Sequence, residues 1–376
     1  MRAARKTVAT SRYGRHLHQM RCNVVFFVVG VSLALVGCDS PSAAAPFAPA
    51  PAAIAVSGDA AAAARALGRG VNFGNVLEAP SEGSWGLRLS DSLFNAARAA
   101  GATTIRLPIR WSSHAGTTRP YTIDPVFMAR IDYAVDAALA RGMRIVIDMH
   151  HYRQLDGDAL DPQDASVDAS VLDERFVVMW QQIATHFKAR PDSVVYELYN
   201  EPHGRLTAAH WNALLEPTLA AIRAIDTTHY IVVGPSPWNS ASQLNTLVLP
   251  PGDRRLIVTI HNYEPFAFTH QGAEWAGLAN SPTTLCCTAA QLRALSEPLR
   301  VAAAWRADRD RPIWIGEFGS YGKGPYASRV AYSRAIRDSM EVHGMTWAYW
   351  EFAAGFGIFD PTTGAMKTEL RDALFF

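Results

Sequence analysis

The chain has 376 residues, 49% hydrophobic and 18% charged, which supplies ample apolar material for a large core and excludes global disorder. At about 100–200 residues per domain it holds one large domain or two. The formal charge is +1, but residues 1–37 carry six cations and no acid, leaving 29 cations against 34 anions on the remainder; a nucleic-acid partner gripped by a broad basic surface is excluded on that ground.

In chain order, the first segment is an address. Arg2, Arg5, Lys6, Arg12, Arg15 and Arg21 precede a thirteen-residue apolar run, Val24 to Val36, closed by Gly37 and Cys38. A membrane-spanning helix needs about 20 apolar residues, so the pattern is that of an export signal. Leu35-Val36-Gly37-Cys38 resembles the lipobox of bacterial lipoproteins, which implies that Cys38 becomes the lipidated first residue of an exported, membrane-anchored protein. An ordinary signal peptide with a coincidental cysteine, giving a secreted protein, is the alternative. Residues 38–66 are dominated by Ala, Pro and Ser after the cysteine and read as a tether, with folding to begin at Leu67.

From residue 67 to 376, short apolar runs alternate with helix-length amphipathic stretches, a βα pattern. Strands are expected at Gly70–Phe73, Thr103–Leu107, Arg144–Met149, Val194–Leu198, Tyr230–Val233, Leu256–Ile260, Pro312–Ile315 and Met345–Tyr349. Helices are expected at Leu89–Ala100, Pro125–Arg141, Leu172–Lys188, Ala208–Ile225, Ala289–Ala307 and Ala327–His343, and only the connection after Gly234 lacks a long one. Eight strands in this length predict an α/β fold, a single (β/α)8 TIM barrel, with a doubly wound open sheet as the rival. The barrel is preferred because polar or aromatic groups stand at all eight strand ends: Asn72, Arg106, His150 and His151, Asn200 and Glu201, Trp238, His261 and Tyr263, Glu317, and Trp350. RGVNFGN lacks the dinucleotide spacing, and no GxxxxGK[ST] occurs.

Two of these residues, Glu201 in YELYNEPHG and Glu317 in IWIGEFGSYG, lie 116 residues apart. On the fourth and seventh strands they would face each other across the barrel mouth. A pair of carboxyl groups, one to protonate a leaving oxygen and one to attack or stabilise the anomeric carbon, is what glycoside hydrolysis requires. A single rim glutamate is more simply an ion-pair partner; two in this arrangement, each beside amide or aromatic residues, favour chemistry.

With RGVNFGN, TIRLPIRW, DMHHY, Asn200-Glu201-Pro202, His261-Asn262-Tyr263, Glu317-Phe318-Gly319 and WAYWEF, the segment 68–376 resembles glycoside hydrolase family 5, the cellulase family. The resemblance implies that Glu201 is the general acid/base and Glu317 the nucleophile of a retaining endo-β-1,4-glucanase acting on soluble β-1,4-glucans. It further implies that Arg106, His150, His151, Asn200, His261, Tyr263 and Trp350 bind substrate or support catalysis. Asn200 can reach a sugar 2-OH, Tyr263 can donate to the nucleophile, and Arg106 should lower the carboxylate pKa. Trp350 offers a flat face for a pyranose ring. Alternatives are an endo-β-1,4-mannanase on the same scaffold and a silent sugar-binding lipoprotein.

His150 and His151 suggest metal, but neither an i, i+4 partner nor a nearby cysteine completes a site, so hydroxyl binding is preferred and no metal or cofactor is expected. Asn72 and Trp238 are candidates for further subsites, as are Trp85, Phe266 and Trp275. Glu197 should lie inside the barrel in a structural role, Glu351 should turn away from the site, and Asp148 should anchor a loop. Glu264 and Asp360 are loop acids without a role. Cys286 and Cys287 are adjacent and form either free thiols or a vicinal bridge. The expected partners are a polysaccharide and, through Cys38, a membrane; the protein is expected to be a monomer.

Overall fold

In the computed structural model, which describes residues 58–161 and 164–376, eight strands close into a parallel barrel in sequence order, β8 pairing back to β1. They are β1 (Arg69–Asn72), β2 (Thr104–Ile109), β3 (Arg144–Met149), β4 (Val194–Glu197), β5 (Ile231–Val233), β6 (Leu256–His261), β7 (Ile313–Glu317) and β8 (Thr346–Tyr349). A short antiparallel ribbon, β9 (Phe359–Asp360) with β10 (Ala365–Met366), follows. The helices are α1 (Ala60–Leu67), α2 (Asp91–Ala100), α3 (Pro125–Leu139), α4 (Arg153–Asp156), α5 (Leu172–Phe187), α6 (Ala208–Arg223), α7 (Phe266–Thr269), α8 (Ala289–Arg309), α9 (Tyr326–Val342) and α10 (Thr368–Phe375). The connection after β5 holds only a 3-10 turn, Ala241–Thr246.

Local chemistry sets the helix starts. The Ser90 hydroxyl accepts from the Leu93 amide at α2, Asp124 caps α3 ahead of Pro125, and Thr288 with Gln291 forms a capping box at α8. Each satisfies backbone donors that the first helical turn leaves free.

The period of two along each strand sorts the core into two parts. Ile145 and Ile147, Val194 and Tyr196, Leu256 and Val258, Ile313 and Ile315 join the large cluster shared with the helices. The alternate residues Val146, Val195, Val232, Ile257, Trp314 and Ala348 form a second cluster with Ala60, Ala63, Ala64 and Leu67 of α1. That second set faces the barrel axis, and α1 closes its amino-terminal end. Two residues further along the same faces stand Asp148, Glu197 and Thr259, all fully buried. The interior therefore changes from apolar at the α1 end to charged at the opposite mouth.

Helix α1 corrects one expectation. The segment read as the end of a tether folds into α1, which the Asp59 carboxylate caps through the Ala62 amide at 2.8 Å. The expected signal, Cys38 and the rest of the tether lie outside the described residues. Among the described residues, no helix is long and apolar enough to cross a membrane.

Candidate active site

At the carboxyl ends of the strands the buried polar residues converge on Arg106 of β2. Its guanidinium donates through Nε and Nη2 to Glu197 at 2.7 and 2.8 Å, through Nη1 to Glu317 Oε1 at 2.6 Å and to Asn72 Oδ1 at 2.9 Å, and through Nη2 to Asn200 Oδ1 at 2.8 Å. Asp148 Oδ2 lies 3.1 Å from Nη2. Register explains the meeting: Asp148 and Glu197 are Cα partners on β3 and β4, and both face inward beside the arginine.

Glu317 ends β7. Its Oε2 accepts the Tyr263 hydroxyl at 2.7 Å, so each oxygen has a donor. Burial nevertheless raises its pKa; His261, Arg106 and Tyr263 pull it back, while Glu201 adds to the rise. The expected lowering by Arg106 operates but does not prevail, because one guanidinium is shared among several buried carboxylates.

Glu201 follows β4. Its Oε1 lies 2.6 Å from His261 Nδ1, and burial pushes its carboxyl up to about 7 against Arg106 and His203. His261 owes its aim to a register shift between β6 and β7 that sets it opposite Glu317, as bulges near active sites do. Burial holds His261 down to about 4, so it is neutral over most of the physiological range. One oxygen of Glu201, one of Glu317 and a His261 nitrogen lie within 4.8 Å of one another. Ligand atoms so close could in principle hold a cation, but these are already engaged with each other, Tyr263 and the Arg106 charge, which disfavours a divalent ion.

Most other expected residues surround this pair. His150 is buried, with Nδ1 2.5 Å from Asp148 Oδ2, and lies parallel to Trp350 with ring centroids 5.8 Å apart. Trp350 packs over Gly74, where a Cβ would come within 2.9 Å of the indole; a side chain there would push the ring away. His151 is half-buried, at φ 49°, with its ring 6.3 Å from Trp85. Trp238, Phe266 and Trp275 line a cleft of about 900 Å³ with Glu201, His261 and Tyr263. Trp238 stacks on His203 at 3.6 Å.

Two expectations change. Asn72 is fully buried, receives Arg106 and donates to the Gly316 carbonyl at 3.0 Å, so it lines no subsite. Asp148 holds His150 and Arg106 instead of a loop. Glu351 does anchor a loop, accepting the Ala353, Ala354 and Phe356 amides. Glu264 borders the cleft, and Asp360 caps the turn of the β9–β10 ribbon. Cys286 and Cys287 are joined as a vicinal disulfide.

Sequence reasoning missed Asn239. Its amide donates to the Asn200 carbonyl and lies 3.3 Å from His261 Nε2, and its carbonyl accepts the His261 amide at 3.0 Å. It thereby fastens two site residues across β5. Nothing in the string WNS marks it.

A family model described as cellulase (glycosyl hydrolase family 5) matches residues 68–355. Endoglucanase H of Acetivibrio thermocellus is 31% identical over 318 residues, covering 83% of this chain and 33% of that protein. The cellulase/esterase CelE of the same organism is 29% identical, covering 75% of this chain and 35% of its own length. This chain thus spans about a third of the length of those relatives. Crystal structures of Thermotoga maritima Cel5A with mannotriose and with cellobiose are 39% and 40% identical, each with a TM-score of 0.79, covering 84% of this chain and 100% of theirs.

Proposed function

The chain belongs to glycosyl hydrolase family 5, the cellulase family, and from that premise we propose that it cleaves soluble β-1,4-glucans internally by double displacement with net retention. The observation that carries this reading is that one oxygen of Glu201 and one of Glu317 lie within 4.8 Å of each other, an approach compatible with the short separation of a retaining pair. Retaining glycosidases keep their carboxyl groups about 5–5.5 Å apart, whereas inverting ones leave 6.5–9.5 Å for a water.

In the first step the Glu317 carboxylate attacks the anomeric carbon while Glu201 gives its proton to the departing glycosidic oxygen. In the second, Glu201 takes a proton from water, whose oxygen displaces Glu317 and restores both groups. Its raised pKa leaves Glu201 largely protonated below neutral pH, as the first step needs. Tyr263 and Arg106 donate to both oxygens of Glu317 and favour its ionised form. No hydrogen bond from Asn200 Nδ2 occurs among the described residues, and this amide is the donor for the sugar 2-OH. Trp350 supplies the stacking face at the cleavage subsite, His150 and His151 bind hydroxyls beside it, and Trp238, Phe266 and Trp275 extend the cleft. The reaction needs no cofactor, and the protein acts as a monomer.

The test is reducing-end release by the full chain on carboxymethylcellulose and on linear β-mannan, with Glu317→Ala as the blank. Activity mainly on the glucan supports the proposal. Activity mainly on mannan retains the mechanism and changes the substrate, an outcome worth testing because the Thermotoga relative is described with both mannotriose and cellobiose. Wild-type rates in Glu317→Ala or Glu201→Ala would overturn the catalytic assignment. Anchoring through a lipidated Cys38 after export is also proposed, and Cys38→Ser should release the protein from membranes; unchanged fractionation refutes it.

A further inference from the structure

We propose that Asp148, beneath the nucleophile, remains a neutral carboxylic acid during turnover and acts as a positioning residue for His150 and Arg106. The inference rests on the assignment of Glu317 as nucleophile given above.

It starts from a charge count. The Arg106 guanidinium contacts Asp148, Glu197 and Glu317 at 3.1, 2.7 and 2.6 Å, and the side chains of Arg106, Asp148 and Glu197 are wholly buried. One cation against three anions leaves uncompensated charge in a region where each unpaired ion costs several kcal/mol. A proton relieves that excess, and the hydrogen bonds show where it fits. Both oxygens of Glu197 receive guanidinium N–H groups. Both oxygens of Glu317 also have donors, Arg106 and Tyr263. Asp148 Oδ2 receives His150 and lies 3.1 Å from Arg106 Nη2, whose two N–H groups go to Glu197 and Asn200, and its Oδ1 is buried without a hydrogen-bond partner. An unpaired neutral O–H there costs less than an unpaired anionic oxygen.

The surroundings agree. Burial pushes Asp148 up to about 7, the Glu201 charge adding to that rise while Arg106 opposes it, and raises Glu197 to about 7 as well, so the hydrogen bonds decide between the two. The titratable and charged groups that act on it are Arg106 on β2, His150 beyond β3, Glu197 on β4 and Glu201 beyond β4, with Glu317 of β7 sharing Arg106. Burial and Arg106 hold His150 well below its ordinary value, so its neutral ring donates from Nδ1 to Asp148. With Asp148 uncharged, the Arg106 charge is divided between Glu197 and Glu317 alone, which favours an ionised nucleophile.

Two similar substitutions separate this from a purely structural role. In Asp148→Asn, the amide oxygen replaces Oδ2 and the NH2 replaces the proposed O–H. In Glu197→Gln, an NH2 is set against a guanidinium N–H. On carboxymethylcellulose, Asp148→Asn should lower kcat/KM less than about tenfold with its acid limb within about 0.3 pH unit of wild type, whereas Glu197→Gln should lose about 100-fold or more. At pH 6, the wild-type minus Asp148→Asn infrared difference should contain the carbonyl stretch of a protonated carboxyl. An acid limb moved down by a pH unit or more, together with loss of an ionised-carboxylate band, would overturn the proposal and place the proton on His150.

If Asp148→Asn does not fold, carbon-13-labelled aspartate in the wild-type protein gives the answer. Protonated carbonyl intensity at pH 6 that persists when Asp156→Asn removes the other raised aspartate supports the proposal, and its disappearance refutes it. Activity surviving in Glu317→Ala would instead refute the nucleophile assignment and leave the infrared result standing.

Discussion

Replacing Glu201 by Gln removes an ionisable proton while keeping an oxygen for the His261 contact at 2.6 Å. Because its carboxyl is raised to about 7, about nine-tenths of wild-type molecules are protonated at pH 6 and about one-tenth at pH 8. The acid form is the active one in the first step, so wild-type kcat/KM should fall as pH rises through about 7. General acid catalysis contributes about 10²–10⁴-fold, or about 3–5 kcal/mol of barrier. Glu201→Gln should therefore lose about 10³-fold on carboxymethylcellulose, where the leaving group is a sugar alkoxide. On an aryl cellobioside with an acidic phenol, glycosylation needs no proton, so the loss should appear in deglycosylation and be relieved by azide, which attacks without a general base. The basic limb should vanish with the aryl substrate. Equal losses on both substrates, no azide relief, or a basic limb that persists near pH 7 would refute the assignment of Glu201.

Tyr263→Phe removes the O–H donated to Glu317 Oε2 at 2.7 Å; a charge-assisted bond contributes about 1.5–3 kcal/mol, so kcat/KM should fall about 10- to 100-fold and its acid limb should move to higher pH. A pH–rate profile that stays in place would count against that bond. Arg106→Met strands the Glu197 and Glu317 carboxylates and should cost about 3–5 kcal/mol in urea unfolding at pH 7, with a smaller loss near pH 4 where they are protonated; a loss below about 1 kcal/mol would contradict the buried charge cluster. Asp156, with Tyr199 donating to Oδ2 at 2.5 Å and Oδ1 without a hydrogen bond, 3.6 Å from His203 Nδ1, is raised by burial from 3.8 to about 8. The folded state thus binds more protons than the unfolded one between those values, so this contribution is complete below about pH 4 and is lost as pH rises toward 8. Asp156→Asn should flatten the decline measured by denaturant unfolding at pH 5 and pH 8, and an unaltered slope would show that Asp156 ionises normally.

The strands and long helices were legible because hydrophobic period survives in sequence: β3 was expected at Arg144–Met149 and lies there. Helix α1 was not, since AAAAARAL after a Pro/Ala run reads equally well as tether and helix. Only the packing of Ala60, Ala63, Ala64 and Leu67 against Val146, Val195 and Trp314 decides between them. Asn72 illustrates the same limit from the other side. Its strand-end position suggested a subsite, but the depth of a residue below a barrel rim depends on strand register, which no local string encodes.

The sequence by itself determined the alternation that closes the barrel and the glutamates at its fourth and seventh strand ends, because these depend on periodicity and on residue identity. Tertiary structure decided the charge state of the site. Asp148, Glu197 and Glu317 come from three strands, and only barrel closure brings them onto one guanidinium and removes water from around them. Their pKa shifts, the aim of His261 across the β6 register shift and the fastening of Asn200 by Asn239 arise from that enclosure, since desolvation and through-space charge act on distance and burial, not on order along the chain.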